Sequence, residues 1–136
     1  MSTIRHEVTL RADPAKVWDA LRDVGAIHTR LAPDFVSNVE MDGDARIVTF
    51  ANGRVVREEI VTVDDAARRL VWSAVGIQMT HHNGSIQIFP ESGGCRLVWI
   101  ADILPNALSD YISGMMQQGM EAMKKKLEAD ASAHAA

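Results

Sequence analysis

Two residues on strand-like stretches combine acid–base chemistry with apolar neighbours. In Val55 to Val63, one alternating set holds Arg57 and Glu59, and the other holds Val56, Glu58 and Ile60. Successive strand side chains point to opposite faces, so the set with fewer charges goes inward and takes Glu58 with it. In Thr80 to Phe89, Ile86 and Ile88 form the apolar set. Counting back by twos puts Gly84 and His82 on the same inner face and His81 outside. In Leu70 to Val75, the set Leu70, Trp72 and Ala74 is assigned to the inside. In Arg96 to Ile103 both sets are apolar: Leu97, Trp99, Ala101 and Ile103 compete with Val98, Ile100 and Asp102. A carboxylate and an imidazole facing an apolar interior can orient the polar end of a ligand, or move protons on a carbonyl-rich substrate.

Other chemistries find less support. His81 and His82 are adjacent on a strand and point apart, and His6, His28 and His134 have no ligand spacing, so no metal is expected. Cys95 follows Gly93-Gly94 in a turn without a Cys-His-Asn pattern, and Ser73 and Ser85 lack a nucleophile-elbow context. Gly93-Gly94 reads as a hairpin turn and not a phosphate loop, and nothing calls for a cofactor. The net charge is −4 and no basic cluster is interleaved with aromatics, which argues against a nucleic-acid partner. The N-terminus lacks an apolar signal core, and no run approaches the roughly 18 apolar residues of a membrane span. The expectation is a cytoplasmic protein without stable membrane insertion.

A chain of 136 residues is long enough for one domain with a real core. Ile4 to Leu10 reads as a strand. Asp13-Pro14 then opens a short helix with Val17, Trp18 and Leu21 on its buried face, aspartate being a good cap and proline a good first residue. Val24 to Leu31 reads as a second short helix. Strands follow at Phe35 to Met41, Ala45 to Phe50, Val55 to Val63, Leu70 to Val75, Thr80 to Phe89 and Arg96 to Ile103. Asp42-Gly43 and Asn52-Gly53 are strong hairpin turns. The expected fold is α+β: about seven strands in a curved antiparallel meander, with the helices segregated from them.

The last long run, Pro105 to Glu128, closes the fold. Leu108, Tyr111, Ile112, Met115, Met116, Met120, Met123 and Leu127 recur at helical spacing. This stripe must lie on the concave side of the sheet. Methionine fills irregular gaps and adapts to varied partners. Gly119 within the stripe costs about 1 kcal/mol relative to alanine and leaves room against the sheet, opposite the small residues Gly84 and Ala74. An empty void would cost about 24 cal/mol per Å³, so the expectation is a ligand cavity. The domain is expected to span residues 1–129, with 130–136 a frayed Ala-rich tail.

The order of elements, Ala12-Asp13-Pro14-Ala15-Lys16-Val17-Trp18 and the closing Leu104-Pro105 helix resemble the START-like helix-grip superfamily. The likeness is strongest to its polyketide cyclase/dehydrase and lipid transport (SRPBCC) branch. It covers nearly the whole chain, and its motifs are structural. It implies a cavity for an apolar ligand between the sheet and the last helix. Glu58 to Asp65 further resembles a strand and turn of the plant abscisic-acid receptors, whose pocket has a glutamate at the place of Glu58 and aromatics at those of Trp72 and His82. Anchoring on Pro105 by that resemblance turns Val98, Ile100 and Asp102 inward, and Arg46, Val48 and Phe50 with them. The receptors' gate and latch motifs are absent from Ala51 to Arg54 and Gly76 to Met79, so a hormone-receptor role does not carry over.

The expected pocket wall is therefore Arg46, Val48, Phe50, Val56, Glu58, Ile60, Trp72, Ala74, His82, Gly84, Ile86, Val98, Ile100, Asp102, Met115, Met116, Gly119, Met120 and Met123. The leading reading is a non-catalytic binding or transport protein for a small hydrophobic molecule: a lipid, polyketide, isoprenoid or aromatic metabolite. The alternative is an enzyme of the polyketide cyclase, aromatase or dehydratase type, with Glu58, His82 and Asp102 as acid–base candidates. The plainer reading of the polar residues is structural, with Arg46 pairing with Glu58 across neighbouring strands and His82 bonded to a backbone carbonyl. Either a monomer or a homodimer, the latter through Tyr111 and the helix edge, fits the sequence.

Overall fold

The computed structural model describes residues 1–135. β1 (Ser2–Leu10) leads into α1 (Pro14–Arg22), where the Asp13 side chain accepts a hydrogen bond from the Ala15 amide at 3.1 Å. Val17, Trp18, Ala20 and Leu21 form the buried face. The Trp18 indole donates to Asp65 at 2.9 Å, fastening α1 to the turn between the fourth and fifth strands. The second short helix is shorter than its pattern suggests, a single π-helical turn at Ile27–Leu31. Arg30 reaches back from it to Asp19 and Asp23 of the preceding helix and its end, at 2.6 and 3.0 Å.

Six strands follow: β2 (Val36–Asp42), β3 (Ala45–Phe50), β4 (Val55–Asp64), β5 (Arg69–Val75), β6 (His81–Glu91) and β7 (Gly94–Leu104). They form one antiparallel sheet in the order β1-β7-β6-β5-β4-β3-β2. Consecutive hairpins make the meander, and β1 closes it by pairing with β7, from Ser2 opposite Ile103 to Leu10 opposite Cys95.

Pro105 and a turn at Asn106–Leu108 precede α2 (Ser109–Ala135). The α-helix thus begins after Pro105 and Leu108, which the apolar pattern had included. It also runs on past Glu128. Ala131 still packs against the core there, and Lys126 pairs with Asp130 at 3.1 Å. The tail expected to fray at 130–136 is therefore helical as far as Ala135, and its last residue lies outside the described ones. Met120, Met123 and Leu127 join the main core, with Leu10, Val17, Trp72, Ile88 and Leu97. Met116 belongs to a second cluster with Ile4, Ala101 and Ile103. His6 on β1 hydrogen-bonds the Ser113 hydroxyl of α2 at 2.9 Å.

Candidate functional site

Arg46 and Glu58 are both buried and sit opposite each other on β3 and β4. The Arg46 Nε donates to Glu58 Oε1 at 2.8 Å, and Nη1 donates to the Val24 carbonyl at 3.2 Å. The guanidinium carbon lies 5.5 Å from the centroid of the Trp72 ring, a cation–π contact. Both charges face inward as expected. They are spent on each other, which is what keeps a buried ion tolerable.

His82 also takes the inner frame. Backbone pairing between β5 and β6 runs only from Arg69/Gln87 to Trp72/Gly84. Beyond it, the His82 ring acts where a strand carbonyl would: Nδ1 accepts the Ala74 N–H at 3.0 Å, and the Ser73 hydroxyl donates to the His82 carbonyl at 2.7 Å. The ring is thus bonded to a backbone N–H and not to the carbonyl that the structural reading assumed. Accepting at Nδ1 requires a neutral ring. Burial, helped by the nearby His81 charge and opposed by Asp102, pushes the His82 pKa down to about 4. An imidazole so held is a poor proton shuttle near neutral pH.

The assignment of β7 is corrected. Leu97, Ala101 and Ile103 are fully buried, and Trp99 packs under α2, so this set faces the interior. Val98, Ile100 and Asp102 face the opposite side. Val98 lies between Glu7 and Gln87, and Asp102 accepts from the Thr3 hydroxyl at 2.7 Å on an exposed surface. The outer set begins at Arg96, which bonds Glu7 and Glu91 at 3.1 and 3.0 Å. Extending the pattern by that one residue places a charge at each end of the outer set and none in the inner one. That was the signal available in the sequence.

The space beside Gly119 is occupied. A Cβ there would come within 2.8 Å of the Trp99 ring and 3.1 Å of Phe35. Gly84 is closed in the same way by Trp72 at 2.9 Å and His82 at 3.1 Å. Each glycine accommodates an indole, and the expected large cavity behind Gly119 is filled. What remains inside is a space of about 50 Å³ lined by Arg46, Val48, Phe50, Trp72, Ile86, Gly119 and Met123 from the expected wall. Leu21, Ile27, Leu31, Ala32, Phe35, Val36, Leu70 and Trp99 complete it. Glu58, Ile60, Gly84, His82, Met116 and Met120 do not line this space and serve packing or pairing.

A larger apolar pocket opens at the mouth of the grip, where the β3–β4 and β5–β6 loops approach the start of α2. It measures about 290 Å³ and is lined by Phe50, Val56, Ala74 and Met115 from the expected wall, together with Arg54, Ile77, Gln78, Met79, Leu108, Tyr111 and Ile112. The loop residues escaped the sequence reading because alternation assigns faces only within strands. Depressions of about 410 and 470 Å³ also exist, but charged side chains line both, Lys125 and Asp34 being paired at 2.8 Å in the first. Phe50 borders the inner space, the mouth pocket and the first of these depressions, and its ring meets Phe35 edge-on at 5.2 Å.

Cys95 is fully buried, and burial pushes its thiol up to about 11, away from the reactive thiolate. Among the described residues no group of His, Cys, Asp or Glu is placed to hold a metal ion, and no helix is long and apolar enough to cross a membrane.

A curved antiparallel sheet gripping a C-terminal helix, with its apolar opening where the two part, defines a helix-grip protein. Residues 1–128 match the family described as polyketide cyclase / dehydrase and lipid transport, and the chain belongs to that family. It is similar to XoxI from Bacillus cereus, at 17% identity and a TM-score of 0.80, over 93% of this chain and 96% of that one. A Thermobifida fusca protein is similar at 26% identity and a TM-score of 0.76, over 95% of this chain and 91% of that one. A norcoclaurine synthase point mutant from Thalictrum, solved with a transition-state analogue, is similar at 16% identity and a TM-score of 0.69, over 99% and 96%. The likenesses to XoxI and to the synthase carry the fold alone. No curated protein matches the sequence.

Proposed function

We propose that the protein binds and carries a small hydrophobic molecule in the mouth pocket, without transforming it. The observation behind this reading is the pocket itself: about 290 Å³ of space between the loops and α2, walled mainly by aliphatic, methionine and aromatic side chains, with Arg54 and Gln78 its polar members. That is close to the lower end of the roughly 300–1,000 Å³ typical of small-ligand sites. Burial of apolar ligand surface at about 25 cal/mol per Å² supplies the affinity.

The cyclase-type alternative loses the residues assigned to it. Glu58 is paired with Arg46, the His82 ring is fixed by the Ala74 amide, and Asp102 is on the outer face. None of the three lines the mouth pocket.

The test is titration with naphthaleneethanol, a neutral apolar probe, followed by tryptophan fluorescence. Ile77 is only partly buried, so Ile77→Asp changes the pocket wall without opening the core. We expect it to weaken binding by about tenfold or more. Unchanged affinity would remove the pocket from the site. Native mass spectrometry of protein purified from its own host then identifies what co-purifies.

A further inference from the structure

We infer that the molecule carried in the mouth pocket is a carboxylate, held at its charged end by Arg54 with the apolar body inserted beneath; this rests on the carrier reading above. Arg54 follows Gly53, whose φ of +90° suits the tight β3–β4 turn. The turn is well held. The Arg54 amide donates to Asn52 Oδ1 at 3.0 Å, and the Arg54 carbonyl accepts from the Phe50 amide at 2.8 Å.

The side chain then lies over the Tyr111 ring of α2, with its guanidinium carbon 5.2 Å from the ring centroid. This contact spans the pocket mouth between loop and helix. Arg5, Arg11, Arg22, Arg30, Arg46, Arg57 and Arg96 all pair with carboxylates. Arg54, like Arg68 and Arg69, forms no ion pair among the described residues, and of these three it alone lines the mouth pocket.

No Asp or Glu lines the pocket. Gln78 and Tyr111 stand at the same wall, and neither side chain hydrogen-bonds another described residue. A guanidinium presents paired N–H donors that match a carboxylate, and an aromatic face beneath it restricts its orientation. A positive end over an otherwise apolar pocket complements an amphipathic monoanion better than a neutral molecule.

The experiment compares naphthaleneacetate with naphthaleneethanol, which share an apolar body and differ in charge. Wild type is expected to bind the acetate about fivefold to tenfold more tightly, with the preference shrinking as salt rises. Arg54→Gln should abolish that preference while leaving naphthaleneethanol affinity within about twofold of wild type. Equal affinity of the two probes for wild type would overturn the inference, as would a preference that survives in Arg54→Gln. Loss of both probes in Ile77→Asp, with their discrimination by wild type intact, supports the two readings together. If wild type binds neither probe, the carrier reading falls and this inference with it. Binding of the neutral probe without discrimination overturns the carboxylate alone.

Discussion

Arg46 and Glu58 form a closed pair inside the sheet, 2.8 Å apart with side chains only 5% and 11% exposed. Neither charge is free for a ligand. The pair should therefore matter to folding and not to binding. Removing one partner leaves the other charge buried and unmatched, a loss of about 3–5 kcal/mol. Arg46→Met and Glu58→Leu should each show it in urea denaturation, and the double variant should recover most of the deficit. Probe affinity at the mouth pocket should stay unchanged in whichever variants fold. An additive double variant would show that the two charges are not coupled.

Gly119 and Trp99 are matched in the same steric sense. Gly119→Ala gains about 1 kcal/mol of helix propensity but drives a methyl into the indole, and overpacking typically costs about 1–3 kcal/mol. The net expectation is a modest destabilisation, and Gly119→Leu should be much worse. Trp99→Leu should relieve much of the penalty of Gly119→Ala, which thermal melts of the two single variants and the double variant can decide. Ordinary stability of Gly119→Leu would mean that the helix and sheet are further apart than 2.8 Å to the ring implies.

This pairing also shows where the sequence stops being informative. Periodicity places Gly119 on the inner face of α2, and alternation turns Glu58, Trp72 and His82 inward, because polar residues gather in the opposite set of each strand: Arg57 and Glu59, Ser73, and Ser85 and Gln87. Whether the room left by a glycine is empty or filled by an indole from another element depends on distances that no local pattern contains. β7 failed for a different reason. Its middle residues are apolar on both faces, and only the charges at the edges of the run, Arg96 and Asp102, mark the outer set. Arg54, Ile77, Gln78 and Met79 lie in or beside turns, where no period assigns a direction, so the walls that distinguish the mouth pocket stayed hidden.

Phe50 separates the inner space of about 50 Å³ from the mouth pocket of about 290 Å³. Its ring is half-buried, packs against the main core and meets Phe35 edge-on at 5.2 Å. Phe50→Ala should join the two spaces at a stability cost below the roughly 3–5 kcal/mol of a fully buried Phe→Ala change. A bulkier apolar probe such as pyrenemethanol should then bind about tenfold more tightly than to wild type. Fluorescence titration distinguishes this from a merely loosened protein, because Phe50→Trp, which keeps the barrier, should show no gain. Equal gains in both variants would remove Phe50 as the divider.

His82 should give the fold a measurable response to acid. Its folded pKa of about 4 lies below the ordinary 6.5, so between these values the unfolded chain binds a proton that the native state refuses. Stability is then complete above about pH 6.5 and falls as the pH drops toward 4, by roughly 3 kcal/mol at most. Protonation would also place a hydrogen on Nδ1, the atom that accepts the Ala74 N–H. Glu7 and Asp65 are held low chiefly by hydrogen bonds from Arg96 and Arg22, and they lose stability in the same direction. Carboxylates unfold proteins in acid for that reason, so the raw pH profile of wild type alone is not diagnostic. The difference between wild type and His82→Gln is, since glutamine can accept the same N–H through its side-chain oxygen and does not titrate. The variant should lose less stability than wild type between pH 6.5 and 4, and urea midpoints across that range measure it. Parallel profiles would mean that the imidazole is protonated in the folded protein without penalty, and that the Ala74 amide has another partner.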